Sequence, residues 1–105
     1  MAINRLETLK AMLEQDPANT FARYGLAMEY VNSGDLEQAV SEFQAVLNTD
    51  PGYSYAYFHG GQTLEKLGHL DQARTLYEQG VEASRAKGDL KGLSEIQGAL
   101  DLLPL

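Results

Sequence analysis

The chain contains no cysteine, which excludes disulfide staples, thiolate metal ligands and cysteine nucleophiles. Histidine is scarce as well. His59 and His69 are the two present. Neither belongs to a His-Glu-x-x-His pattern, and their separation does not place them on one face of one helix. No apolar run approaches the ~18 residues of a membrane span. Glu7, Lys10 and Glu14 interrupt the first segment, so neither a secretory leader nor a membrane anchor is expected, and a cytoplasmic protein is the expectation. Basic residues number 8 against 15 acidic ones, for a formal net charge of −7. Such a surface repels phosphate backbones, so nucleic acid is not an expected partner. It carries a mild preference for a basic partner.

What is present suits one globular domain. The 105 residues are 44% hydrophobic and 22% charged, which is ordinary globular composition. Within them lies an internal repeat. Asp16-Pro17 recurs as Asp50-Pro51, 34 residues on, and at the same offset Ala22 meets Ala56, Gly34 meets Gly68, Leu36 meets Leu70, and Gln38-Ala39 meets Gln72-Ala73. Chemical equivalents fill the ladder: Phe21 with Tyr55, Tyr24 with Phe58, Ala27 with Gly61, Phe43 with Tyr77 and Leu47 with Val81. A ladder of matches at one offset marks a duplicated structural unit.

Each unit reads as helix, tight turn, helix. Phe21, Tyr24, Ala27, Met28 and Val31 recur at helical spacing, and so do Leu36, Ala39, Val40, Phe43, Val46 and Leu47. Gly34 between them suits a left-handed helix stop. Asp35 with Gln38, and Asn4 with Glu7, are expected capping boxes. The second unit predicts helices over Tyr55–Lys66 and Leu70 to about Lys87, with Leu67-Gly68-His69 as the turn. A helix over Asn4–Gln15 precedes the units. A last one follows Gly88, is capped by Asp89, and carries the stripe Leu90, Leu93, Ile96, Leu100 and Leu103. Six helices are expected. Small Ala39 and Ala73 admit close helix approach while Phe43 and Tyr77 fill the space beside them. A single pair cannot bury its own apolar faces, so the pairs must stack.

The 34-residue period with small–x3–aromatic and then proline resembles the tetratricopeptide repeat family. The marks of the first helix stand here as Leu26-Ala27 and Tyr30, then more weakly as Gly60-Gly61 and Leu64. The turn glycines are Gly34 and Gly68. Ala39, Phe43 and Pro51, then Ala73 and Tyr77, carry the second helix. The resemblance implies an all-α, right-handed solenoid of antiparallel helix pairs. Its organisation would be a half-repeat over 3–19, repeats over 20–53 and 54–87, and a capping helix over 88–105. Two departures stand out. Arg23 and Tyr57 occupy the tryptophan position, which predicts a looser or more polar helix contact there. Arg85 replaces the expected proline, so the preceding helix should run on to Gly88.

The resemblance also implies function: a protein–protein interaction module or adaptor that holds a peptide or helix of a partner on its concave face. In the family's frame that face falls on Phe21, Tyr24, Met28 and Val31, then on Tyr55, Phe58, Gln62 and Lys66, with His59 beside them. Rigid aromatics bury much area at low entropy cost, and methionine adapts to varied partners. The lysines and asparagines with which some members clamp a C-terminal carboxylate are replaced by Tyr24 and Met28, which disfavours that ligand. The competing readings are that the stripe is core, that the last helix folds into the groove, or that a second copy covers it. In that last case the chain is a self-associating homodimer, with the groove or the last helix as its seam.

No catalytic, metal or cofactor site is expected. Gly60-Gly61 lacks the Gly-Lys-Ser/Thr that follows in a phosphate loop and falls inside a helix, where close packing explains it. Glu78 and Glu82 belong to a solvated face, and no Ser–His–Asp spacing exists.

Overall fold

A computed structural model describes residues 4–104. Met1–Ile3 and Leu105, at the two edges of the expected half-repeat and cap, lie outside the described residues. The described residues form six α-helices: α1 Arg5–Gln15, α2 Thr20–Ser33, α3 Leu36–Thr49, α4 Ser54–Lys66, α5 Leu70–Lys87 and α6 Leu90–Leu102. No strand occurs among the described residues. Each helix packs on the next, and α6 also packs on α4. The result is the expected all-α solenoid, elongated at 46 × 29 × 20 Å.

The turns follow from local chemistry. Gly34 ends α2 at φ 85°, a left-handed conformation that costs a residue with a Cβ about 1–2 kcal/mol. Asp35 N–H then reaches back to the Tyr30 carbonyl at 2.9 Å. Two further turns repeat this geometry. His69 N–H bonds the Leu64 carbonyl beyond Gly68, and Asp89 N–H bonds the Ser84 carbonyl beyond Gly88. The caps divide. Asn4 Oδ1 accepts from Leu6 N–H at 2.9 Å and Glu7 N–H at 3.4 Å, and Asp89 Oδ1 accepts from Gly92 N–H at 2.9 Å. Asp35 does not cap as expected. Its ψ of 67° leaves the carboxylate without a helix N–H, and the carboxylate instead accepts from the Ser33 hydroxyl at 3.0 Å.

The core runs along the stack as three linked clusters. Leu9, Leu13, Ala22 and Leu26 join α1 to α2. Ala27, Ala39, Phe43, Val46 and Ala56 join α2, α3 and α4. Tyr57, Leu64, Tyr77, Val81, Ile96 and Leu103 belong to the last, across α4, α5 and α6. Small residues face rings throughout. A Cβ on Gly61 would fall within the Tyr77 ring, and one on Gly80 would lie 2.6 Å from Tyr57 Cβ. The paired glycines of α4 are therefore packing residues.

The tryptophan-position departures prove polar but not loose. Arg23 Nη2 donates to the Pro17 carbonyl at 3.3 Å, and its Nη1 pairs with Glu42 at 2.9 Å. The Tyr57 hydroxyl donates to the Pro51 carbonyl at 2.7 Å, with the ring buried. Two different side chains thus tie the same point of each repeat to its linker proline. Leu90 departs from the expected α6 stripe. Ile96 and Leu103 are buried, while Leu90 is 74% exposed. At 3.6 residues per turn it sits about a quarter-turn off the line of the others.

Gly61→Ala is expected to destabilise the domain by about 1–3 kcal/mol, because overpacking against Tyr77 outweighs the helix-propensity gain. Gly98→Ala, at a helical position with nothing within 4 Å of the added Cβ, is expected to stabilise by roughly 0.5–1 kcal/mol. Urea unfolding of the two variants should move the midpoint in opposite directions.

Candidate partner-binding groove

The expected surface divides by exposure. Phe21 is 70% and Tyr55 42% exposed, and Gln62 and Lys66 are exposed as well. Tyr24, Met28, Val31, Phe58 and His59 are half-buried. Met28 and Val31 lean on the cluster of Ala27 and Phe43, and Phe58 leans on that of Tyr57 and Ile96. These residues are therefore shared between core and surface.

His59 is the hub of the rings. Its centroid lies 6.0 Å from Tyr24, 6.2 Å from Tyr55 in a stacked arrangement, and 5.1 Å from Phe58 edge-on. Tyr24 also meets Tyr53 at 5.2 Å and Phe43 at 6.0 Å. The structure thus brings Tyr24, Tyr55, Phe58 and His59 together across α2 and α4. Phe21 enters none of these ring pairs among the described residues, and Lys66 sits at the far end of α4.

Burial sets the protonation of this surface. It pushes the Tyr24 hydroxyl up to about 12, with Tyr53 and Tyr55 adding to the shift. It lowers the His59 imidazole, against the upward pull of Gln62 and Glu95 and with a further push down from Lys66. At neutral pH the aromatic patch is uncharged. The nearby carboxylates belong to Glu65, which accepts from the Tyr77 hydroxyl at 2.5 Å, and to Glu95 on α6.

α6 adds residues that the sequence pattern did not place on this face. A cleft of about 440 Å³ between α4 and α6 is lined by Phe58, Gln62, Glu65, Glu95, Gly98, Ala99 and Leu102. Tyr53, in the linker before α4, joins the rings beside it. α6 is expected from the sequence as a capping helix, and the repeat frame does not carry its residues onto this face because the period slips. Thr20 and Ser54 open α2 and α4 34 residues apart, whereas Leu90 opens α6 36 residues after Ser54. α5 runs 18 residues against 14 in α3, which follows from Arg85 standing where proline would have stopped it. A separate depression of about 360 Å³ across α3, α4 and α5 is lined by Gln44, Leu64, Gln72, Thr75 and Gln79 among others and has no ring in it. Among the described residues no cluster of three or more His, Asp or Glu converges as a metal site. No described helix is long and apolar enough to cross a membrane.

Because the folded protein holds His59 below the ordinary value of 6.5, the unfolded chain binds the proton more readily. Stability is then complete above about pH 6.5 and falls as pH drops toward the folded-state value. His59→Gln should remove that part of the slope, as read by thermal midpoints between pH 7.5 and 5.5. The wild-type His59 ring protons should titrate with a midpoint below 6.5.

Comparison with known proteins places this geometry. The tetratricopeptide repeat family model matches residues 6–60 and again 30–94. A tetratricopeptide repeat domain protein from Salinibacter ruber is 39% identical, superposing with a TM-score of 0.76 over 81% of this chain and 86% of that one. A TPR repeat-containing protein of Pseudomonas aeruginosa is 32% identical over 91 residues, 87% of each chain. A TPR protein described as having an unusual peptide-binding site is 25% identical, with a TM-score of 0.80 over 92% of this chain and 47% of that one. This chain therefore spans about half the length of that last protein. A family model that matches residues 6–94 in two overlapping stretches, and a stacked helix-pair core that follows the same period, establish that the chain belongs to the tetratricopeptide repeat family, whose fold is a protein–protein interaction module.

Proposed function

We propose that this domain is an adaptor that binds a peptide or helical segment of a partner protein along the face of α2, α4 and α6. In this reading the chain is organised as a half-repeat over 3–19, repeats over 20–53 and 54–87, and a terminal helix over 88–105. It acts without catalysis, in the cytoplasm. The observation that carries it is the ring cluster of Tyr24, Tyr55, Phe58 and His59, which stays half-open beside Met28 and Val31. Rings held rigid by their own packing lose little entropy when a partner covers them. The peptide-binding site named for a structurally similar TPR protein supports the same reading. The net charge of −7 favours a basic segment over an acidic one.

A second reading has its own observation. Leu90 and Leu102 on α6 are 74% and 86% exposed, so α6 offers a seam to a second copy. Sedimentation across a concentration series separates the two, since a mass that stays monomeric removes the homodimer.

Random-peptide display against the purified domain is the test of the groove. One motif should be enriched on the wild type. It should be lost on Tyr24→Ala/Phe58→Ala with helicity retained, and weakened on the surface variant Phe21→Ala/Tyr55→Ala. Equal enrichment on wild type and both variants would sink the groove reading.

A further inference from the structure

We propose that the cleft between α4 and α6 seats an arginine side chain of the bound segment, an assignment that rests on the groove reading above. The cleft holds about 440 Å³, room for a long side chain but not for a folded element. Phe58, Ala99 and Leu102 supply its apolar lining, and Glu65 and Glu95 supply two carboxylates.

The electrostatics select the occupant. Three ion pairs form among the described residues, Arg5–Glu29, Arg23–Glu42 and Arg85–Glu82, and Glu95 is in none of them. Glu95 is half-buried and lines the cleft together with Phe58 of the ring cluster, and its charge raises the His59 imidazole against burial. Glu65 gives one oxygen to the Tyr77 hydroxyl, and a carboxylate has acceptor capacity beyond that single bond. His59, held neutral at pH 7 by burial, does not offset these charges. Lys66 lies exposed at the end of α4, and Lys91, one turn before Glu95 on α6, is exposed and forms none of these ion pairs.

Other occupants fit worse. An acidic side chain would meet two carboxylates. An aliphatic one would strip water from Glu95 and leave it unpaired, which is costly. Lysine presents a compact, strongly hydrated charge. Arginine brings a flat, weakly hydrated guanidinium that packs on a ring and donates two parallel bonds to a carboxylate. Its methylene stem would lie along Ala99 and Leu102.

The test uses single-residue probes, so that the cleft is read separately from the whole groove. The 15N-labelled domain is titrated with N-acetyl-arginine methylamide and, as controls, with the glutamate and leucine counterparts. The arginine probe should give saturable amide shifts at Phe58, Glu95, Gly98 and Ala99. Its affinity should fall about ten-fold in Glu95→Gln and should weaken with added salt. Shifts that are absent from the cleft, equal for the glutamate probe, or indifferent to Glu95→Gln would overturn the proposal. A display motif that depends on Tyr24 and Phe58 yet contains no arginine would also overturn it, while leaving the groove reading intact.

Discussion

The close approach of neighbouring helices is the constraint on which the remaining structure depends. It is met by setting small residues against rings. Gly61 lies where any Cβ would enter the Tyr77 ring, Gly80 lies under Tyr57, and a Cβ on Gly60 would lie 2.9 Å from the Leu76 side chain. Ala27, Ala39 and Ala73 are fully buried, as are Phe43 and Tyr77. Each ring fills the space that a small neighbour leaves, so few residues per helix suffice to close the core. Because each cluster spans only two or three consecutive helices, stability propagates along the stack rather than from one central core.

Polar tethers then fix how each pair meets the next. Arg23 and Tyr57 reach the carbonyls of Pro17 and Pro51, holding each linker against the helix that follows it. At the α4–α5–α6 junction, Ser54 Oγ donates to Asp89 Oδ2 at 2.6 Å and lies 3.0 Å from Ser84 Oγ. The Ser54 hydroxyl, followed by Gly92 N–H, holds the Asp89 carboxyl below its ordinary range. The same aspartate caps α6, so the orientation of α6 is tied to the first residue of α4. The angle between those helices shapes the cleft at Phe58 and Glu95.

The functional face is what this packing leaves over. Phe43 and Tyr77 lie on the second helices and are fully buried, whereas Tyr24 and Phe58 on the first helices have one side in the core and one side out. A ring in that position is rigid and apolar without being sealed. The carboxylates at its edge come from different sources, Glu65 from α4 and Glu95 from α6, and they meet only because α6 stacks beside α4.

The sequence by itself determined the helices, their turns and the family. Those depend on local rules: helical spacing of apolar residues, a left-handed stop at Gly34, Gly68 and Gly88, and a 34-residue ladder visible without coordinates. The packing role of Gly60-Gly61 was also legible, since two glycines inside a helix with aromatics one repeat-half away have little other use. Tertiary structure alone decided the rest. Asp35 lost its expected cap to Ser33 because a turn's ψ is not written in residue types. Glu95, Gly98, Ala99 and Leu102 joined the candidate groove through a helix whose start slipped two residues from the period. The distance between α4 and α6 is fixed by how α5 packs against both of them, and no local pattern encodes that distance.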